Sequence, residues 1–483
     1  MTVHGGSGTN DEMTVEQFKD CLRECRDVIE YTVTVGKDKQ LEVRMFYCDG
    51  MIDNQQFHLG LLPQLEKWDE QPEPFLENVE EGPEKRTLMF TYIKQGPNSA
   101  HLYARLFAGS VIISFSDRNG FYEYNIASQP ARTPEESTME LSLKGPRDGF
   151  VEQLSVNLAL VRKRLRTPNM HVEYRKIGSE SQTEVALLYM AGQAKPELIE
   201  EARRRLDAID IPSLNGAGQL EELLSDKPLA FFPLLEYIGR PDYVVQSLMN
   251  GRFAVLVDGS PAALIGPGNL MLLIKSPEDT HLPYYFVSGE RILRLLGLAL
   301  SLCLPGFWIA LSAFNTDQIP FTLLATVTIS RIGLPISATM EMFLMLGMFE
   351  VFREAGVRLP RAVGQTVSVV GGLIVGDAAI RAGITSPTML VVSAVTAVST
   401  FTLVNQSLIG SISIIRYVIL ILSSLLGIFG FFVGLFAVLI YMSTLESFGR
   451  SYLEPLAPIH FKQWIPALLQ KPWKLRSGKR GRA

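Results

Sequence analysis

At 483 residues the chain has room for two to four domains. Its 20% charged and 47% hydrophobic residues suit a folded protein, and a formal net charge of −5 singles out no charged partner. These averages conceal two unlike halves: charge concentrates before about residue 290, and long apolar runs follow from Ile292 onward.

The first residues, "MTVHGGSGTNDEMTVEQF", carry neither a basic n-region nor an apolar h-region, so no secretory signal peptide is read there. The expectation is a first membrane segment that acts as its own insertion signal and an N-terminal region left in the cytoplasm. Residues 1–12 read as a disordered tail. Four cysteines, Cys21, Cys25, Cys48 and Cys303, fit a reducing compartment. Cys21 and Cys25 lie four apart on a helix with no second pair to complete a zinc site, so they read as packing thiols.

Two α/β subdomains follow, at 13–128 and 146–270, and they look duplicated. "VEQFKDCLREC" from Val15 resembles "VEQLSVNLALV" from Val151. The stretch holding Tyr47 and Gly50 resembles the one holding Tyr189 and Gly192. "ARLFAGSVIISFSDRNGFYEY" resembles "QSLMNGRFAVLVDGSPAALIG", with Gly109 on Gly251. The offset is 142 residues in the last two matches. Each copy reads as a helix, then strands such as "LEVRMFY" and "TEVALLY" with one buried face, a glycine turn, and helices. A left-handed glycine cap at Gly109 or Gly251 then precedes a closing hairpin. "DEQPEPFLENVEEGPEK" reads as a loop inside the first copy.

No catalytic constellation is present. The six histidines are scattered, and HExxH, the P-loop lysine and the Gly-x-Ser-x-Gly elbow are missing. "GGSG" reads as tail, "GAGQ" at 216–219 as a loop or cap, and Asp258-Gly259 as a hairpin turn. The basic runs "RKRLR" at 162–166 and "RRR" at 203–205 read as a solvated helix face or a subunit contact rather than a nucleic-acid surface. No enzyme activity, cofactor, metal or nucleic-acid partner is expected.

From 290 to 445 the pattern is an all-α, polytopic membrane domain. Spans are expected at about 292–314, 363–382, 387–404 and 412–442. Arg291 and Arg294 flank the first on what would be its cytoplasmic side, and Pro305 should kink it. The run 412–445 is longer than one span needs, so it must tilt, bend at Gly427 or Gly430, or begin with an interfacial turn. Residues 319–358, with Glu341, Glu350, Arg353 and Glu354, read as an amphipathic or re-entrant piece. Their arginines conflict with an outward position, which keeps a fifth crossing open. Residues 446–483 form a basic cytoplasmic tail that rests on anionic lipid or stays solvated. Both ends inside require an even number of spans, expected to be four.

Small residues at Gly364, Ser368, Gly372 and Gly376 recur every four positions and form a helix-packing seam, within the chain or between copies. Asp377, on nearly the opposite face with Thr366, poses the main question. It could line a cation pore, pair with Arg416, or sit near a helix end with Arg381. Glu341 and Arg416 complete the intramembrane polar candidates.

Four motifs carry a family resemblance: "KGPRDGFVEQLSVNLALVRKRL", "GRPDYVVQSLMNGRFAVLVDGSPAALI", "FREAGVRLPRAVGQTVSVVGGLIVGDAAIRAGITSP" and "LESFGRSYLEPLAP". From about Asp11 to Pro458 the chain resembles the A subunits of GerA-type spore germination receptors. The resemblance implies nutrient sensing in the inner spore membrane, beside a transporter-like B subunit and a lipoprotein C subunit. It also implies a homo-oligomeric ring, pentameric in the family view, that forms a ligand-gated cation channel. The chain departs from the family at "SFGRSY" (447–452), at Asp377, where glutamine is common, and at "YIGRPD" (237–242). A paralogue or scaffold of the same fold, without its own nutrient specificity, is the alternative.

Overall fold

The computed structural model describes residues 13–35, 41–66, 90–93, 100–117, 120–129, 144–358, 376–457 and 469–472. The chain forms two compact units. One is Met1–Ser225 with Tyr237–Pro267; the other is Asp226–Glu236 with Gly268–Ala483. The "DEQPEPFLENVEEGPEK" loop, residues 1–12, and Gly364, Thr366, Ser368 and Gly372 lie outside the described residues.

The first unit holds two sheets. Strands β1 (Val28–Val35), β2 (Leu41–Cys48), β3 (Thr91–Ile93), β4 (Ser110–Phe115) and β5 (Phe121–Asn125) are ordered β1-β2-β4-β5-β3. Strands β6 (Met170–Ile177), β7 (Thr183–Met190), β8 (Glu236–Ile238), β9 (Phe253–Val257) and β10 (Ala263–Gly266) are ordered β6-β7-β9-β10-β8. The antiparallel registers also agree at the 142-residue offset. Val28 faces Cys48 as Met170 faces Met190, and Val43 faces Phe115 as Val185 faces Val257.

The strands depart from the expected single buried face. Alternate residues of β2 do point to opposite sides, but both sides are apolar. Met45 and Tyr47 pack with Phe57 and Leu61, whereas Phe46 and Cys48 pack with Phe18 and Leu106. A central strand covered on both faces needs such a continuous run. Phe18 comes from helix α1 (Val15–Leu22), started by a Thr14–Gln17 capping box. Leu106 ends helix α2 (Ala100–Leu106). Gly109 and Gly251 do take left-handed backbone angles, φ 97° and 76°. A Cβ at Gly109 would sit 2.4 Å from the Met51 carbonyl oxygen, and one at Gly251 2.6 Å from that of Gln193. Only glycine meets both demands.

The basic runs are only partly displayed: Arg166 and Arg204 are exposed, as a solvated face requires, while others are drawn into the fold. Arg162, at the end of helix α3 (Leu154–Arg162), is fully buried. Its guanidinium donates to both carboxylate oxygens of buried Asp27, at 2.5 and 2.7 Å, and to the Thr167 and Met170 carbonyls. Arg164 grips Asp148 with both oxygens at 2.6 Å. On helix α4 (Pro196–Asp207), Arg203 bonds Glu173, while Arg204 and Arg205 bond Glu201. Asp258 and Gly259 form the β9–β10 turn, and the Asp258 carboxylate accepts the Leu154 N–H.

The second unit is helical. Its main helices are α5 (Tyr284–Ile309), α6 (Phe321–Ser330), α7 (Ala338–Arg358), α8 (Pro387–Phe401) and α9 (Gln406–Ser443). Helix α5 runs through Pro305 and ends in a π-helical turn, Ala310–Phe314. Arg291 and Arg294, expected as flanking charges, lie inside α5, buried against the Asp279 carboxylate at 2.8 and 2.9 Å. Residues 446–457, expected to begin a tail, instead fold back: the Ser447 hydroxyl donates to the Leu234 carbonyl and accepts from the Gly268 N–H.

The 38-residue α9 is not one rod. Gly427 leaves helical geometry, with φ 63° and ψ −139°. A Cβ on Gly434 would lie 3.4 Å from Ile419 Cα, whereas residues 15 apart on a straight helix stand about 22 Å apart. The two halves therefore run antiparallel. The Ile428 N–H, freed at the reversal, donates to the Asn315 side chain at 3.3 Å. Of the tilt, bend or interfacial turn that the length allowed, the chain takes a bend at Gly427, sharpened to a full reversal that sets the two ends of the bundle. The tip holds Gly427, Phe314 and Asn315. The base holds Leu408 and Met442, packed in one core.

The reversal has a direct test. The Ile419→Cys/Gly434→Cys pair in the full chain should form a disulfide on mild oxidation, because a bridge requires Cα atoms within about 7 Å. Failure to cross-link, with both thiols reactive, would restore a continuous helix.

Candidate functional site

The helical unit inverts the polarity of a water-soluble bundle. Ile414, Val418, Ile421 and Leu425 form an exposed stripe on the first half of α9, and Val391, Val395 and Val398 form one on α8. The opposite faces are polar and buried: Ser393, Thr396 and Thr400 on α8, and Ser413, Arg416 and Ser423 on α9. Apolar outside and polar inside is the arrangement hydrocarbon selects, because a hydroxyl or charge is cheap there only when it finds a protein partner.

Two charged nodes occupy this interior. At the first, Glu350 on α7 stands between two arginines. One Glu350 oxygen pairs with Arg353, three residues on, and the other lies 3.4 Å from Arg416 on α9. Arg416 also donates to the Thr400 hydroxyl at 3.1 Å, and Arg353 to the Ser413 hydroxyl at 3.0 Å. A cavity of about 20 Å³, room for about one water, is lined by Glu350, Arg353, Thr400 and Arg416. The Arg416 Nε is buried without a protein partner. This node ties α7, α8 and α9 together.

The second node lies nearer the tip. Glu341 is fully buried, and one of its oxygens accepts from the Ser386 N–H, the Ser386 hydroxyl and the Thr385 hydroxyl. Its other oxygen lies 3.7 Å from Arg331 Nε, an ion-pair distance too long for a hydrogen bond. Thr385 and Ser386 belong to the short turn before α8, and Ser386 also caps α8 by accepting the Met389 N–H.

Among the candidates read from the sequence, Glu341 and Arg416 are interior, at separate nodes. Asp377 is not brought to Arg416. It pairs with Arg381 at 2.8 Å, and both side chains are largely exposed, 59% and 80%. A Cβ on Gly376 would pack 3.3 Å from Leu390, so Gly376 faces α8. The hydroxyls of Ser393, Thr396, Thr400 and Ser423 each donate to the carbonyl one turn earlier. They are closed packing groups rather than free ligands. Sequence reading missed Glu350 as the partner shared by Arg353 and Arg416. The available signal was an i, i+3 Glu–Arg pair inside "MEMFLMLGMFEVFREAG", a run otherwise apolar enough for a buried helix.

The Glu350 node should respond to mutation unlike the Asp377 pair. Glu350→Gln strands Arg416 and should cost roughly 3 kcal/mol or more. Replacing both, Glu350→Leu with Arg416→Met, should recover part of that loss. Asp377→Asn, on an exposed pair, should stay within about 1 kcal/mol. Thermal unfolding of the full chain in detergent measures all three, and a Glu350→Gln variant as stable as the parent would contradict this reading.

Comparison with known proteins places this architecture. Residues 16–481 match the family model described as Bacillus/Clostridium GerA spore germination protein. Spore germination protein XA of Bacillus anthracis is 45% identical over 368 residues, 76% of this chain and 75% of its own. Spore germination protein KA of Bacillus subtilis strain 168 is 34% identical over 451 residues, 92% and 82% of the two chains. YfkQ of the same strain, named an uncharacterized membrane protein, is 33% identical over 389 residues, 80% and 76%. The chain belongs to the GerA family of spore germination proteins.

Proposed function

We propose that this chain is the A subunit of a nutrient-responsive germination receptor. On this reading it is embedded in the inner spore membrane, with its first unit in the cytoplasm, and works beside a transporter-like B subunit and a lipoprotein C subunit. The observation that carries the membrane part is the inverted polarity of the helical unit, with Tyr284–Phe314 long and apolar enough to cross and Gln406–Ser443 folded at Gly427 into two apolar halves. Family membership carries the germination part. The matching strand order and registers at the 142-residue offset support an origin of the two subdomains by duplication.

We infer six passes rather than four. Helix α5 runs from base to tip, since Gly306 packs on Ile419 and Ser423, and Phe314 on Gly427. Helix α7 runs back: Ala338 shares a core with Ile309, while Glu350 and Arg353 reach Arg416 and Ser413. Helix α8 also runs from tip to base, from Met389 beside Ile309 to Ser399 and Thr402 beside Gly297. The two halves of α9 add two more passes. Helix α7 ends at the base and Gly376 packs on α8 near the tip-side node, so the span read from the sequence at about 363–382 is proposed as the sixth. An even number keeps both chain ends on one side, and Asp377 then belongs to the tip side.

Conduction, on this account, takes place between copies. The interior hydroxyls of Ser393, Thr396, Thr400 and Ser423 donate to backbone carbonyls and one Glu341 oxygen is hydrogen-bonded, whereas Asp377 is largely exposed and available to a ring of subunits. The alternative is a scaffold or paralogue of the same fold that conducts nothing, and the family includes YfkQ, whose name carries no germination role. Cation flux into proteoliposomes separates the two. The receptor reading expects flux from the assembled subunits and weaker cation selectivity for Asp377→Asn. Absence of flux from this chain, alone and with its B and C partners, would leave the scaffold.

A further inference from the structure

We propose that the loop 227–232, fixed at the base of the helical unit, is a membrane-interface anchor that inserts Leu229 and Phe231 among anionic phospholipid headgroups. This rests on the reading that the unit spans a bilayer. The loop belongs to the helical unit although the first unit flanks it in sequence: Asp226–Glu236 packs with residues beyond Gly268. Its underside is held firmly. Phe232 and Leu234 are buried in one core with Ile409, Met442 and Tyr452. The Phe231 N–H donates to the Tyr441 hydroxyl at 3.0 Å, and Lys227 Nζ donates to the Thr444 carbonyl at 3.1 Å.

Its upper side is the opposite. Leu229 is 91% exposed and Phe231 56% exposed, on backbone pinned on both sides. Two large apolar side chains so presented are unfavourable in water and favourable at the boundary between headgroups and acyl chains. Their position continues the lipid-facing surface. The loop is bonded to the last turn of α9 at the base, and α5 starts at the same end with exposed Tyr284, Tyr285 and Phe286. Aromatic side chains at the ends of apolar helices mark the interface.

Charge specifies the lipid. Lys227 is exposed at the loop. Gln470 fixes a second cation at the same end: its N–H donates to the Ser288 hydroxyl and its side-chain amide to the Asp279 carbonyl. Lys471 follows, exposed, and opens a run to Arg482 with six basic residues and no acidic one. Apolar side chains pointing outward beside fixed cations fit a bilayer surface containing phosphatidylglycerol or a similar anionic lipid.

The test uses the full chain with Cys21→Ser and Cys303→Ser, carrying a fluorescent label at Leu229→Cys. A second sample carries the label at Phe436→Cys, an exposed position within α9. Both are placed in vesicles of phosphatidylcholine with phosphatidylglycerol. Quenching is read from nitroxide lipids and from aqueous iodide. The expected result is that shallow nitroxides quench the Leu229 label several-fold more than iodide does, and that omitting phosphatidylglycerol lowers this quenching about twofold. Full iodide quenching without lipid quenching overturns the anchor. Shielding from both quenchers also overturns it, in favour of a protein contact. Lipid quenching that ignores phosphatidylglycerol overturns the anionic preference. If the Phe436 label escapes lipid quenching, the membrane reading itself fails; if only the Leu229 label escapes, the anchor alone fails.

Discussion

A charge enclosed by helices that turn apolar faces outward has no water to fall back on, so its counter-charge must come from within the bundle. Glu350 meets that requirement for two arginines at once, one on its own helix and one on α9. The arrangement constrains more than two side chains. Arg416 reaches Glu350 only if α7 lies beside the first half of α9, and it reaches Thr400 only if α8 closes the third side. Three helices are thereby fixed in register by one carboxylate and its partners.

Gly427 supplies the second constraint. A left-handed residue in a long apolar run turns one over-length helix into two short ones, and just beyond it a Cβ at Gly430 would sit 2.0 Å from the Leu422 carbonyl oxygen, a contact that needs the absence of a side chain. The reversal brings the end of α9 back beside its start. That return provides the base on which the 446–457 segment and the loop 227–232 assemble. Topology, loop placement and the position of Asp377 all depend on it.

The first unit was largely legible in the sequence, because its signals are local and repeated. The 142-residue offset and the glycines at 109 and 251 follow from strand and turn chemistry that a short window contains. That the last apolar run is too long for one straight span was legible from length, with a bend at Gly427 or Gly430 as one of three readings; the reversal was not, because it depends on packing between residues 15 apart. Partners separated by long stretches left no local signal. Arg416 and Glu350 are 66 positions apart, and Ser447 and Leu234 are 213 apart. The charges Arg162, Arg291 and Arg294 read as surface or flanking residues, since nothing beside them in sequence announces Asp27 or Asp279. Asp377 looked out of place in an apolar run, yet Arg381, one turn away, was the partner in plain view.

The central claim is that α5 ends, and α8 begins, on the same side of the membrane. Gln318, just after α5, and Ile384, just before α8, decide it; a four-pass chain would place them on opposite sides. Single cysteines, Gln318→Cys and Ile384→Cys, are introduced in turn into the full chain with Cys21→Ser and Cys303→Ser, in sealed oriented vesicles. Each is then labelled with a membrane-impermeant maleimide before and after permeabilisation. The six-pass account expects the two positions to behave alike, both reactive from the same face. One position reactive in sealed vesicles and the other only after permeabilisation would contradict it.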